Sequence, residues 1–234
     1  MKKEKVIFFL PTRKGSQRVK NKNTRTFAGI EGGLLEVKLL QLLESQNIDE
    51  IILSTNDEEC IGIATKFLNK DTRLKLDKRP DHLCLDTTNL QDLIEYVPTI
   101  TDGDHILWGH VTTPIAGAEE YDKAVELYLS KLSDGIDSLI SVVELKNFLL
   151  DKKGKLINNS TDLPWPRTQD LDSLYEINHV MFMAKREIYQ KNKNRIGDVP
   201  IIHIMDKIKS FDIDWQEDFE IAEMIYKSCY LNNK

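Results

Sequence analysis

A basic loop near the N-terminus and a pair of carboxylates near the C-terminus carry the most chemistry in this sequence. Residues 13–25, RKGSQRVKNKNTR, hold six basic residues and no acidic one, in a chain whose net charge is -6. Gly15 lets the backbone come close to a ligand, and Ser16 adds a small hydroxyl beside exposed N–H groups. A loop of this kind suits a polyphosphate, and a solvated basic loop is the alternative for a charge run taken alone. The order Lys14-Gly15-Ser16 reverses that of a Walker A loop, and no G-x-G-x-x-G is present. In Phe211-Asp212-Ile213-Asp214, alternation on an extended backbone sends both carboxylates to one side, where they could face one Mg²⁺. Asp214 with Glu217 also resembles a capping box opening a last helix. Capping leaves Asp212 unexplained, so Asp212 is the stronger ligand candidate.

Two further features are weaker. Arg79-Pro80, followed by Asp86-Thr87, could fork onto a phosphate, a carboxylate or a base edge, or could simply be a turn with an exposed arginine. The five histidines, His82, His105, His110, His179 and His203, show no metal spacing. His110 and His179 follow strand-like segments, where a sheet presents ligands, although a satisfied structural histidine is the default reading of each.

The elements that must position these groups alternate. Val6–Pro11 reads as a buried strand leading straight into the basic loop. Helical spacing follows at 36–44, with Leu35, Leu39, Leu42 and Leu43 on one face, then a strand at 50–54 and a helix at 57–68. After a loop, the pattern predicts a helix at 89–97, a central strand at 105–109, a helix at 118–132 and a strand at 138–143. Between 144 and 180 it breaks: Lys152-Lys153-Gly154-Lys155 looks like a hairpin tip, and Leu163-Pro164-Trp165-Pro166 cannot be a helix interior. A strand resumes at 180–183 and a helix spans 214–230. Such alternation predicts an α/β fold of three layers, a mostly parallel sheet with helices on both faces, plus a small extended insertion.

At 234 residues, with 41% hydrophobic and 30% charged residues, the chain can bury one core, which predicts a single domain over 1–234. A pI near 5.5 argues against general nucleic-acid binding, so the local basic loop points to a small anionic ligand. Cys60, Cys84 and Cys229 form neither a disulfide framework nor a zinc spacing. No signal-like or membrane-length apolar stretch is present, which predicts a cytoplasmic protein without a membrane partner.

Taken in order, the motifs resemble those of the acylneuraminate cytidylyltransferases, the synthetases of CMP-sialic acid and other CMP-nonulosonic acids. Arg13-Lys14-Gly15-Ser16 with Lys22-Asn23 resembles the family's R-x-G-S…K-N signature, and Ser54-Thr55-Asn56-Asp57-Glu58-Glu59 its S-T-D-D-E-E segment. Arg79-Pro80…Asp86-Thr87 is similar to its R-P…D-T element, and Thr112-Thr113-Pro114 stands where the family has T-S-P. Gln169 through Tyr175 and Asn178 resembles Q-x-L-P-x-x-Y-x-x-N-G, and Asp212-Ile213-Asp214…Asp218 matches the D-I-D-x-x-x-D ending.

The resemblance implies a nucleotidyltransferase fold and a CTP-dependent enzyme in which a sugar-acid hydroxyl attacks the α-phosphorus of CTP and releases pyrophosphate. Arg13, Gly15, Ser16, Lys22, Asn23 and Arg79 would bind CTP, with Arg13, Lys22 and Asp212 catalytic. Asp212 and Asp214 would hold Mg²⁺. His110, Thr112, Gln169, Tyr175, Asn178 and His179 would face the acceptor. It also implies a homodimer, with the insertion at 144–180 reaching the partner's site. The departures fall on the acceptor side: His110 stands for a usual glutamine, Asp172 for proline, His179 for glycine, and Glu176 near a usual basic residue. A different carboxylated or phosphonate acceptor, or a silent nucleotide-binding relative, are the alternatives.

Overall fold

The basic loop is launched from the middle of a sheet. In the computed structural model, which describes residues 4–16 and 18–231, strand β1 (Val6–Pro11) is buried along nearly its whole length. It pairs in parallel with β2 (Glu50–Thr55) on one side and β4 (His105–Trp108) on the other. Strand β3 (Leu74–Lys78) continues the parallel set beyond β2. Strand β6 (Leu174–Lys185) then runs antiparallel to both β4 and β5 (Ser138–Leu145), and β7 (Pro200–Ile204) lies parallel to β5 at the edge. The order of this seven-stranded sheet is β3-β2-β1-β4-β6-β5-β7. The chain leaves β1 toward β2 on one side and returns to β4 on the other. The crevice beyond the carboxyl ends of β1 and β4 is therefore the place where an open α/β sheet takes a ligand.

Two apolar layers cover the sheet. Alternate β1 side chains Val6, Phe8 and Leu10 pack with α1 (Gly33–Glu44), α2 (Glu58–Leu68), α4 (Ala118–Lys131) and α6 (Gln216–Tyr226). Ile7 and Phe9, with Trp108 and Phe182, pack on the opposite face against Ile94 of α3 (Leu90–Tyr96) and Tyr189 of α5 (Arg186–Asn192). A strand carried through the centre must be apolar on both faces, which is why β1 reads as a continuous apolar run. The three-layer, mostly parallel α/β expectation is met.

Several boundaries differ from those the pattern predicts. The loop expected after α2 contains β3, whose residues Leu74 and Leu76 alternate with Lys75 and Asp77. That short alternation reads as loop on its own and gains its pairing from β2. The predicted strand at 180–183 is the inner part of twelve-residue β6, and β5 extends to Leu145. The irregular insertion therefore narrows to 146–173, with a hairpin tip closed by the Leu150–Leu156 bridge and a left-handed Gly154 (φ 79°). Helix α5 and strand β7 are not signalled in the sequence. The last helix begins at Gln216, not Asp214.

Candidate active site

Several of the predicted side chains sit just past a strand end. Thr12 and Arg13 follow β1, Arg79 follows β3, and His110 and Thr112 follow β4. They share one cleft of about 320 Å³ with Ser16, Arg18, Lys22 and Asn23. The loop is folded by its own bonds. Asn23 donates from its side chain to the Arg13 carbonyl at 3.4 Å, and the Asn23 carbonyl accepts from Leu35 N–H at the start of α1 at 2.9 Å. Gly15 is in the left-handed region (φ 84°), a backbone open to glycine at little cost. It lines a smaller hollow of about 110 Å³ with Arg13, Lys14 and Ser16 on one wall and Asp57, Glu58 and Glu59 on the other.

The buried Arg79 guanidinium is a brace as well as a wall of the cleft. It donates to the Thr12 carbonyl and, at 3.1 Å, to Cys84 Sγ, tying the end of β1 to the loop after β3. It is not the exposed turn residue that a lone Arg-Pro suggests.

A second hollow of about 530 Å³ opens on the other side of the C-terminal segment and is lined by Asn178, His179, Ser210, Asp212, Asp214 and Asp218 among others. The segment between the two openings is pinned through Ile213. Its N–H donates to the Thr112 carbonyl (2.9 Å), its carbonyl accepts from Lys22 Nζ (2.7 Å), and its side chain is fully buried. Residues 211–214 are irregular, not a strand of the sheet, yet those two backbone bonds hold Asp212 and Asp214 on either side of a fixed point. The cap expected at Asp214 and Glu217 lies one residue on. The Asp218 carboxylate accepts from Trp215 N–H (2.7 Å) and Asp214 N–H (3.0 Å), so the Asp214 side chain has no capping duty.

The charges are arranged in opposed pairs. Arg13 is paired with Asp86, and Arg18 with Asp214 at 2.8 Å. Burial pushes the Lys22 ammonium below its usual pKa, against the pull of Asp212 and Asp214. Burial pushes the Asp212 carboxyl up, with Asp214 adding to it and Thr112, His179 and Lys22 opposing. One Asp212 oxygen, Oδ1, is buried with no hydrogen-bond partner. An orphaned carboxylate oxygen beside a second carboxylate and a basic loop is the donor set a hard divalent cation takes when phosphate oxygens complete its shell. Among the described residues no group of three or more His, Cys, Asp or Glu could hold a metal, so Asp212 and Asp214 would supply the protein's share.

On the acceptor side the predicted residues divide. His110 and His179 face each other edge-on at 6.2 Å between ring centres. Burial, then the charge of Arg195 and the His179 ring, push His110 down to about 3, so it is neutral at physiological pH. Asn178 donates nothing from its buried Nδ2, and its Oδ1 accepts from the Ser141 hydroxyl at 2.6 Å. His179 holds a left-handed backbone (φ 57°) where β6 bulges away from β5. Gln169, in the insertion, and Tyr175, in the outer half of β6, are exposed and line none of these openings. Sequence reasoning did not single out Trp108, Arg18 or Arg195. Trp108 is signalled by its strand-end position, whereas nothing in its local sequence marks Arg195.

The sequence profile described as Cytidylyltransferase matches residues 7–234. The chain is 27% identical over 93% of its length to the N-acylneuraminate cytidylyltransferase of Escherichia coli O18:K1:H7, of which it spans about half, 51%. It is 24% identical over 95% of its length, and 97% of the relative's, to the pseudaminic acid cytidylyltransferase of Campylobacter jejuni serotype O:23/36. Its fold is similar to that of the crystal structure of 4-diphosphocytidyl-2C-methyl-D-erythritolsynthase from Anaerococcus prevotii, at a TM-score of 0.67, 14% identity and 96% coverage of both chains.

Proposed function

This chain belongs to the cytidylyltransferase family, and from that premise we propose that it transfers CMP from CTP to a nonulosonic sugar acid. The oxygen of an acceptor hydroxyl forms a bond to the α-phosphorus, the bond from that phosphorus to the bridging oxygen breaks, and pyrophosphate leaves. The hydroxyl proton passes to solvent. The observation that carries this reading is Lys22, which reaches from the basic loop to the Ile213 carbonyl and so joins the triphosphate side to Asp212 and Asp214.

In this reading Arg13, Ser16 and Lys22 bind the triphosphate, with the Gly15 backbone close to it, and Arg13 and Lys22 offset the charge that grows on departing pyrophosphate. Asn23 and Arg79 face the cytosine and ribose. Cytidylyltransferases generally use a divalent metal, and Mg²⁺ held by Asp212 and Asp214 would draw phosphate oxygens together and neutralise their charge. Arg13 and Arg18 exchange Asp86 and Asp214 for phosphate oxygens when the nucleotide enters. His110, Thr112, Asn178 and His179 receive the acceptor. Phosphoryl transfer asks mainly for positioning and electrostatics, so the lack of a covalent nucleophile is consistent.

The same reading treats 1–234 as one cytidylyltransferase domain, and assigns 144–180 to a homodimer contact that brings Gln169 and Tyr175 to the partner's acceptor site. Their exposure, and that of Phe148, Leu163 and Trp165 on the same arm, supports it. Among the described residues no helix is long and apolar enough to cross a membrane. The buried thiols of Cys60 and Cys84 suit the reducing cytoplasm, where we place the reaction.

The test is pyrophosphate release with Mg²⁺ and each of the four NTPs, against a panel of nonulosonic acids. Release with CTP alone, and only when an acid is present, is the expected result, with Arg13→Ala folded and at least 100-fold slower, roughly two charge-assisted bonds' worth. Release from all four NTPs, or near-normal Arg13→Ala turnover, would remove the reading.

A further inference from the structure

The arginines and the lysine that line the nucleotide cleft each have an acceptor: Arg13 has Asp86, Arg18 has Asp214, Lys22 has the Ile213 carbonyl and Arg79 the Thr12 carbonyl. Arg195, which lies over the Trp108 ring in the wall of that cleft, has none. It follows α5, is half-buried, and lies with its guanidinium over the rings of Phe182 (3.6 Å) and Trp108 (5.1 Å). Among the described residues its guanidinium enters no hydrogen bond and no ion pair. Stacking on rings supplies the faces of a guanidinium but leaves its five N–H donors, which lie in the plane, unanswered.

Two more donors near it are also unanswered. The indole N–H of Trp108 and the hydroxyl of Tyr189 have no partner, and both side chains have no exposed surface. Buried donors of this kind are nearly always bonded, so two of them beside a cation without a partner call for an acceptor that the chain itself does not provide. His110, which lines the cleft, lies within the field of Arg195. The other opening offers no comparable welcome to an anion, because Glu176, Asp212, Asp214 and Asp218 line it against Lys207. A sugar acid must bring a carboxylate past that charge.

We propose that Arg195 receives the carboxylate of the acceptor and thereby makes this enzyme specific for an acid. The inference rests on the transfer proposed above and adds to it the group that reads the acceptor's charge. Arg195 forks onto the two carboxylate oxygens, its plane held in place by Phe182 and Trp108. A neutral His110 beside it donates or accepts a hydrogen bond without competing for the anion.

The experiment compares the nonulosonic acid that gives fastest pyrophosphate release with the methyl ester of the same acid, which keeps the shape and loses the charge. Wild type is expected to favour the acid by roughly 30-fold in kcat/KM, the size of one charge-assisted bond pair. Arg195→Gln should bring acid and ester to parity, Arg195→Lys should restore part of the preference, and the KM for CTP should hold in both. An equal loss on acid and ester, or an unchanged ratio, would overturn the proposal, since that is what a residue that merely covers two rings would do. If no nonulosonic acid is turned over by wild type, the transfer reading falls. Calorimetry with the free acid then decides this inference separately: binding that Arg195→Gln abolishes supports it, and binding that is equal in both proteins, or absent, overturns it.

Discussion

His179 shows how a single backbone angle can expose a functional choice. With φ at 57° it occupies a region that costs a side-chain-bearing residue about 1–2 kcal/mol, and it stands where the family resemblance expects glycine. Its ring, edge-on to His110 and tilted against Phe182, is what the strain maintains. His179→Gly removes the strain and returns some of the gain as glycine's greater freedom in the unfolded chain. The variant is expected to melt about 1–3 °C higher, with acceptor kcat/KM reduced and the KM for CTP unchanged. A lower melting temperature would show that the ring contacts outweigh the backbone relief. The residue scale is also where the sequence was most legible. Arg13, Ser16, Lys22 and Asn23 meet in one cleft, as their spacing after β1 implies. Arg195 was not legible, because only the sheet brings its turn over Trp108.

At the scale of elements, the loop after β4 depends on one buried lysine from α1. Lys38 Nζ donates to the carbonyls of Thr113 (2.9 Å) and Ala116 (2.8 Å) and to the Tyr121 hydroxyl (2.8 Å), while Gln41 of the same helix holds the Pro114 carbonyl at 2.6 Å. Helix α1 thereby fixes residues 113–116, directly after Thr112, whose carbonyl accepts from Ile213 N–H between the two aspartates. Burial pushes Lys38 from 10.5 down to about 7. Between these values the unfolded chain binds more proton than the folded one, so stability rises with pH from about 7 toward 10.5. Below 7 both states are protonated and this contribution is flat. Buried tyrosines, which are pushed up, reverse the trend above about 10. Lys38→Met is expected to lose the rise between pH 7 and 9.5 in urea unfolding and to lose about 2 kcal/mol or more at pH 7, from acceptors left without a donor. An unchanged slope would mean that another group titrates there. In the sequence, Lys38 interrupts an apolar helix face as if it were a surface residue; its partners lie 75 to 83 residues away.

At the scale of the molecule, the arm formed by the outer halves of β5 and β6 and by residues 146–173 carries more apolar surface than it covers. Trp165 is 74% exposed, Leu163 61% and Leu150 58%, and the Trp165 and Phe148 rings meet at 5.5 Å. Exposed apolar groups on one arm favour a second copy of this chain. Sedimentation is expected to give a dimer, and Trp165→Glu a monomer that binds CTP normally but loses acceptor turnover by 10-fold or more, about 1.4 kcal/mol. A wild-type monomer with full activity would remove the dimer from the mechanism. What the sequence determined by itself is what local pattern can encode: buried strand β1 and its basic loop, the alternation that makes three layers, the hairpin tip, and the Asp-Ile-Asp segment. Apolar periodicity and turn chemistry are properties of neighbours in the chain, and they survive being read one window at a time. The tertiary structure decided the rest. Strand β3 pairs only because β2 is beside it, Arg79 becomes a brace only because Thr12 and Cys84 face it, and the cap falls at Asp218 because Ile213 is pinned by Thr112 and Lys22. Each of those outcomes depends on groups far apart in the chain, whose meeting is fixed by sheet order and burial and leaves no mark in any short stretch of sequence.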